Sequence, residues 1–234
     1  MNLYAVLPQS NNAWHLITRL GAASLMIPVL IMVVIGLWQS DQKRAIFLWV
    51  SSLTLAIIVT VVSKVLFIGW GIGIAALDFT GISGHALLAT SILPVLFYLV
   101  IGTAQKKLGW LGLWLGLALA IAVAISRLVI GAHSFSEVFA GCLLGMGVSG
   151  LGIRTMTLTN QNLRPGLVRV SLLILLLAFD SNSSGYLPSH YLEIRLALFL
   201  SGHDHPYSRA HSLPVSSATT SLLWARRTAK DRPT

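Results

Sequence analysis

The chain has 234 residues, is 55% hydrophobic and carries only 10% charged side chains. Globular domains carry about 25%, so this chain lacks the polar surface to face water all round. Its formal charge of +9 would suit nucleic acid in a soluble protein, but in a chain this apolar it holds loops on the cytoplasmic side of a membrane, and no nucleic-acid partner is expected.

Five runs approach the roughly 20 residues needed to cross ~30 Å of hydrocarbon: 17–38, 45–64, 85–103, 109–129 and 133–153. The first follows no basic segment and ends in Leu-Trp-Gln-Ser, so it is expected to be a retained span and not a cleaved signal. A sixth run, 167–180, carries Arg169 and spans only if that side chain snorkels to the headgroups. The single Cys142 lies in an apolar run, which leaves no disulfide framework. The fold class is therefore all-α: a polytopic transmembrane bundle of five to six spans over residues 1–180. A polar, basic and flexible tail is expected over 181–234, where Leu196–Leu200 is too short to span.

Basic residues sort the loops. Lys43 and Arg44, Lys106 and Lys107, and Arg154, Arg164 and Arg169 fall in alternate connections, which the positive-inside rule places in the cytoplasm. Loops 65–84 and 130–132 then lie outside. Gly112/Gly116 and Gly141/Gly145 have the spacing that lets helices approach closely, read here as packing within the bundle. Trp110 and Trp114 suit an interfacial aromatic belt.

Ionisable residues in or at the ends of spans are costly, and each is a functional candidate. Lys64, His85, Arg127, His133 and Glu137 all fall at outer ends of spans two to five. His133 and Glu137 are four apart and share a helical face. Arg127 and His133 would diverge on one continuous helix, but Gly131 between them permits a break that folds both into one pocket. Two cations suit a multiply charged oxyanion, and an Arg fork suits phosphate. A histidine held by a carboxylate is a positioned nucleophile or base, and a second histidine can act as general acid. Ser83 and the N–H of Gly84, at a helix start, add anion donors. The set points to phosphoryl transfer, with charge supplied by protein cations and no cofactor or metal site expected.

These residues resemble a family. "SGH" at 83–85 and "SRLVIGAHSFSE" at 126–137 are similar to the second and third signatures of the type 2 phosphatidic acid phosphatase (PAP2) superfamily, PSGH and SRxxxxxHxxxD, which follow KxxxxxxRP. The resemblance covers residues 20–155. It implies that His133 attacks phosphorus to form a phosphohistidine, that Glu137 orients it, and that His85 protonates the departing oxygen and later activates the acceptor. It also implies that Lys64, Ser83, Gly84 and Arg127 hold the phosphate.

Three positions depart from the family pattern. Gly71 and Ile72 stand where the first signature has Arg and Pro, Ile82 replaces Pro, and Glu137 replaces Asp. Elsewhere the plainer reading is preferred. Asp78 and Thr80 are expected to cap a loop, and His203, His205 and His211 to belong to a solvated tail, where a second "SGH" recurs at 201–203.

The expected function is a membrane lipid phosphatase at the outer face of a bacterial-type inner membrane, with a lipid phosphate as its partner. A phosphotransferase on the same mechanism and a catalytically impaired binding protein are the alternatives. Transporters favour charges near the bilayer midplane, and these lie at span ends.

Overall fold

The computed structural model describes residues 11–104, 106–158 and 189–208, and it is all-helical apart from one isolated β-bridge in a loop. Its helices are α1 (Asn11–Arg19), α2 (Ala23–Gln39), α3 (Lys43–Trp70), α4 (Gly84–Ala104), α5 (Gly109–Val129), α6 (Phe135–Leu158) and α7 (Ser189–Ser201). Among the described residues four helices are long and apolar enough to cross a membrane, or five if α1 and α2 count as one broken span. The expected sixth span, 167–180, lies outside the described residues.

Helix α4 is the centre of the bundle. Ala86, Leu87, Ala89, Ile92, Leu93, Val95, Leu96 and Leu99 are all within 1% of full burial, so it has apolar neighbours on every side. Both glycine pairs press against it. A Cβ on Gly112 would strike the carbonyl of Phe97, and one on Gly116 would stand 2.5 Å from the carbonyl of Leu93. From the other flank, Gly141 faces the carbonyl of Ser83 and Gly145 faces Thr90. The small residues therefore bring α5 and α6 onto α4 within one chain. The outer flanks keep large apolar side chains exposed, among them Ile31, Phe47, Leu55, Ile58, Trp110 and Trp114, as lipid-facing helices require.

The structure corrects three expectations. The first span is not continuous. It bends by 41° between Arg19 and Ala23, where Ala22 is extended (φ −68°, ψ 139°). The break packs closely on α4 and α5: a Cβ on Gly21 would come within 2.9 Å of the His85 carbonyl and closer still to Val123. Second, α3 does not stop near Lys64 but runs to Trp70. At 1.5 Å per residue, Lys43 to Lys64 already spans roughly 31 Å, so the last six residues form an extension past the hydrocarbon thickness.

Third, that extension is covered by residues expected in a solvated tail. Helix α7 buries Ala197 against Val65, Phe67 and Ile68. Beyond it, His203 Nδ1 bonds to the Gly69 carbonyl at 2.7 Å, and the Tyr207 N–H donates to the Ile68 carbonyl at 2.9 Å. The tail reading is thus replaced for 189–208 by a docked helix. His211 and the final basic residues lie outside the described residues.

Packing of α6 on α4 should tolerate no added methyl at Gly145 but accept one at Gly147, which has nothing within 4 Å. Gly145→Ala is expected to destabilise the protein by about 1–3 kcal/mol through overpacking. Gly147→Ala should be neutral or gain up to about 1 kcal/mol from helix propensity. Thermal unfolding of the two variants in detergent checks the difference, and equal melting would contradict this packing.

Candidate active site

The site is built from one end of α3, α4, α5 and α6. Helix α5 closes at Val129, and Gly131 takes φ 68°, the left-handed conformation that suits glycine. The Gly131 N–H bonds to the Leu128 carbonyl at 3.0 Å and the Ala132 N–H to the Arg127 carbonyl at 3.1 Å. This double closure turns the chain, so that Arg127 ends one helix and His133 precedes the next. The break expected at Gly131 is present, and its cause is the C-terminal cap.

Helix α6 starts at Phe135, with Ser134 just before it and Glu137 in its first turn. Glu137 is fully buried. Its Oε2 accepts from the Ser134 N–H at 3.1 Å and from His133 Nδ1 at 2.7 Å. Its Oε1 accepts from the Thr80 N–H at 2.7 Å and from the Thr80 hydroxyl. The bond to Ser134 is half of a capping box, a motif that uses Glu or Gln at this position. That supplies a physical reason for Glu where the resembled pattern has Asp: one carboxylate caps α6, grips a loop 57 residues away and holds the imidazole.

With Glu137 ionised, the proton between it and His133 resides on Nδ1, which leaves the lone pair of the neutral ring on Nε2. Burial lowers the His133 pKa, the hydrogen bond and charge of Glu137 raise it, and the charges of Arg127 and Lys64 lower it. The net direction is down from the ordinary imidazole value. A neutral ring with a free Nε2 is a nucleophile or a base.

The loop 71–83 carries the other donors. Ile74 and Phe79 pair their backbones in a small hairpin. That hairpin is tied to α6 by Ser136 donating to the Leu77 carbonyl at 2.7 Å, and to α3 by the Ile82 N–H donating to Ser63 Oγ at 3.0 Å. The Ser83 N–H bonds to the Glu137 carbonyl at 3.1 Å, which fixes the entrance of α4 and hence His85. Ser83 Oγ is buried with no hydrogen-bond partner among the described residues. Leaving such a group unmet costs about 1–3 kcal/mol, and an anion at this helix start would satisfy it.

The His133 N–H meets the Arg127 carbonyl at 3.4 Å, the Ser83 N–H meets the Glu137 carbonyl two residues before His85, and Gly81 in the same loop lies against Lys64. The residues expected to form one constellation are therefore gathered in one place. Two of them arrive with partners that sequence reasoning missed. Arg127 Nη1 donates to Thr18 Oγ1 at 2.9 Å, so the broken first span positions it. Lys64 Nζ forms a two-pronged ion pair with Glu193, at 2.9 and 3.1 Å. Thr80, expected only to cap a loop, is a direct ligand of the Glu137 carboxylate. For Thr18, Thr80 and Glu193 no local spacing signals the contact.

The family model of the PAP2 superfamily matches residues 74–161, which hold His85, Arg127, His133 and Glu137 and leave Lys64 outside. An uncharacterized 22.5 kDa protein in the cps region of Klebsiella pneumoniae is 34% identical over 202 residues, covering 84% of this chain and 95% of that protein. No solved structure matches.

The balance around His133 gives a signed pH dependence. A depressed pKa keeps the ring neutral as pH falls through the ordinary value of 6.5, so its midpoint should lie below 6.5. Glu137→Gln removes a neighbour that favours protonation and should move the midpoint lower still. Histidine-selective NMR titration of the detergent-solubilised protein reads both, and an upward move in Glu137→Gln would contradict the arrangement.

Proposed function

This chain belongs to the PAP2 superfamily, and from that premise we propose that it is a membrane lipid phosphatase acting through a phosphohistidine. The observation that carries this reading is the 2.7 Å bond from His133 to a fully buried Glu137. It fixes the tautomer with Nε2 available, in a cluster that also contains Arg127, Lys64 and His85. In the proposed reaction His133 Nε2 attacks phosphorus, the bond to the lipid oxygen breaks, and that oxygen takes a proton from His85. Water, deprotonated by His85, then releases phosphate from His133. Arg127, Lys64, Ser83 and the N–H of Gly84 hold the phosphoryl oxygens, where positioning and charge do most of the catalysis.

The lipid class is a phosphate ester or pyrophosphate, reaching the site by lateral diffusion past the exposed apolar flanks of the helices. The alternation of basic loops supports a site on the outer face of a bacterial inner membrane. An alcohol acceptor in place of water would make the same site a phosphotransferase, and the intermediate is common to both.

The direct test is phosphate release from purified protein against a panel of phosphatidic acid, phosphatidylglycerophosphate and a prenyl pyrophosphate, with and without EDTA. Activity is expected on at least one member and should survive the chelator. His133→Ala should form no phosphoenzyme with any substrate. His85→Ala should lose about 10²–10⁴-fold, and part of that loss should return with a nitrophenyl lipid ester, whose leaving group departs without a proton. Equal rescue of both variants would refute these roles.

Orientation is tested separately. In a Cys142→Ser background, a cysteine at Ala76 should react with impermeant thiol reagent in intact cells, while cysteines at Asp41 and Lys107 should not. The reverse pattern would place the site on the inner face.

A further inference from the structure

The lysine proposed to hold phosphate arrives already paired. Lys64 and Glu193 meet through both carboxylate oxygens, and their side chains are only 20% and 13% exposed. The pair is built in from both sides. The stem of Lys64 lies against Gly81, where a Cβ would stand 2.6 Å from its Cγ. Glu193 is carried on α7, which is docked independently of the pair through Ala197, through His203 on the Gly69 carbonyl and through Tyr207 on the Ile68 backbone.

The same segment covers Gly71, the position where the resembled pattern has an arginine. Gly71 takes φ 69°, and the Tyr207 ring lies 2.9 Å from where its Cβ would be. No side chain at 71 fits while Tyr207 stays. Absence of that cation and docking of α7 are thus one structural fact. Among the described residues, the proposed phosphate end of the site has no arginine at 71 and a carboxylate on its lysine.

We propose that Glu193 is a specificity-determining residue that selects lipid phosphates bearing a single negative charge, namely phosphodiesters, over dianionic terminal monoesters. The inference rests on the catalytic reading above and shifts its preferred substrates from terminal phosphates, which the site would still turn over more weakly, to phosphodiesters. A phosphate at Lys64 shares the ammonium with Glu193 or displaces it by a short distance. In either case each charge on the ligand meets the carboxylate at close range in a poorly hydrated place. A second ligand charge doubles that repulsion and has no cation at 71 to offset it.

The chemistry is unchanged in kind for a diester. His133 Nε2 bonds to phosphorus, one ester bond breaks, and the departing alcohol takes a proton from His85. The other ester remains on the phosphohistidine until an acceptor hydroxyl, deprotonated by His85, takes the phosphoryl group.

The test compares phosphatidic acid with phosphatidylmethanol, which share acyl chains and differ by one charge. Binding to the full chain in mixed micelles is measured in His133→Ala protein, so the result does not depend on turnover. With Glu193 present, phosphatidylmethanol should bind more tightly than phosphatidic acid. Glu193→Gln should tighten phosphatidic acid by about tenfold, the scale of one charge-assisted contact, and phosphatidylmethanol by less than about threefold. Glu193→Asp should keep the original preference.

An equal change for both lipids overturns the proposal. So does weakened binding of both, which would make α7 a wall and not a charge filter. Diacylglycerol release is read in parallel on protein that retains His133. No release from either lipid, with the charge preference intact in the binding assay, would sink the catalytic reading while leaving the filter standing.

Discussion

A carboxylate with no exposure to water has to be matched by donors, because an unpaired charge in such a place costs several kcal/mol. Glu137 is that group, and the geometry of the site follows from how it is satisfied. Its donors come from the imidazole before α6, the cap of α6 and Thr80 in the loop between α3 and α4. Charge-assisted hydrogen bonds contribute about 1.5–3 kcal/mol each, so these segments are held in register by the need to compensate one charge. Its own carbonyl then takes the Ser83 N–H, two residues before His85. Both histidines are therefore positioned relative to the same residue, although His85 sits on α4 and His133 in the turn before α6.

That local order needs a stiff support, which α4 provides. Glycines on α5 and α6 let backbone meet backbone on either side of it, and the buried apolar side chains of α2 and α3 close the rest. Where Gly141 lies against the Ser83 carbonyl, the close packing reaches the site itself. Gly21 does the same from the other side, lying against the His85 carbonyl. The absence of a side chain at 21 is thus a condition of its fit. A side chain at 21 would push on the carbonyl of His85, in the first turn of α4.

What could be read from sequence was what repeats or is local. Span positions were legible because lipid demands long apolar runs, and the boundaries of α4, α5 and α6 fall close to those expected. The His133–Glu137 contact was legible from helical spacing, and the turn at Gly131 from the one residue that enters the left-handed region without strain. Thr18 on Arg127, Thr80 on Glu137 and Glu193 on Lys64 were not legible. They join residues 109, 57 and 129 positions apart, and hydrogen bonds over such separations leave no periodic trace. Thr80 read as a loop cap because threonine often is one. Glu193 was missed because α7 is a short helix in a polar stretch, and its apolar face makes sense only against the extension of α3 beyond Lys64, which composition alone did not reveal.

The ion pair between α3 and α7 also has a history in time. Glu193 is made 129 residues after Lys64, which at ribosomal speed is a delay on the order of ten seconds. Through that interval Lys64 enters the bilayer with no carboxylate from α7 beside it, near the level where a long side chain can still reach water. Helices α4 to α6 can assemble and gather both histidines while this end of the site stays open. Biogenesis therefore passes through a stage in which the end of the site at Lys64 lacks the Glu193 charge, which the last described helix brings when it docks.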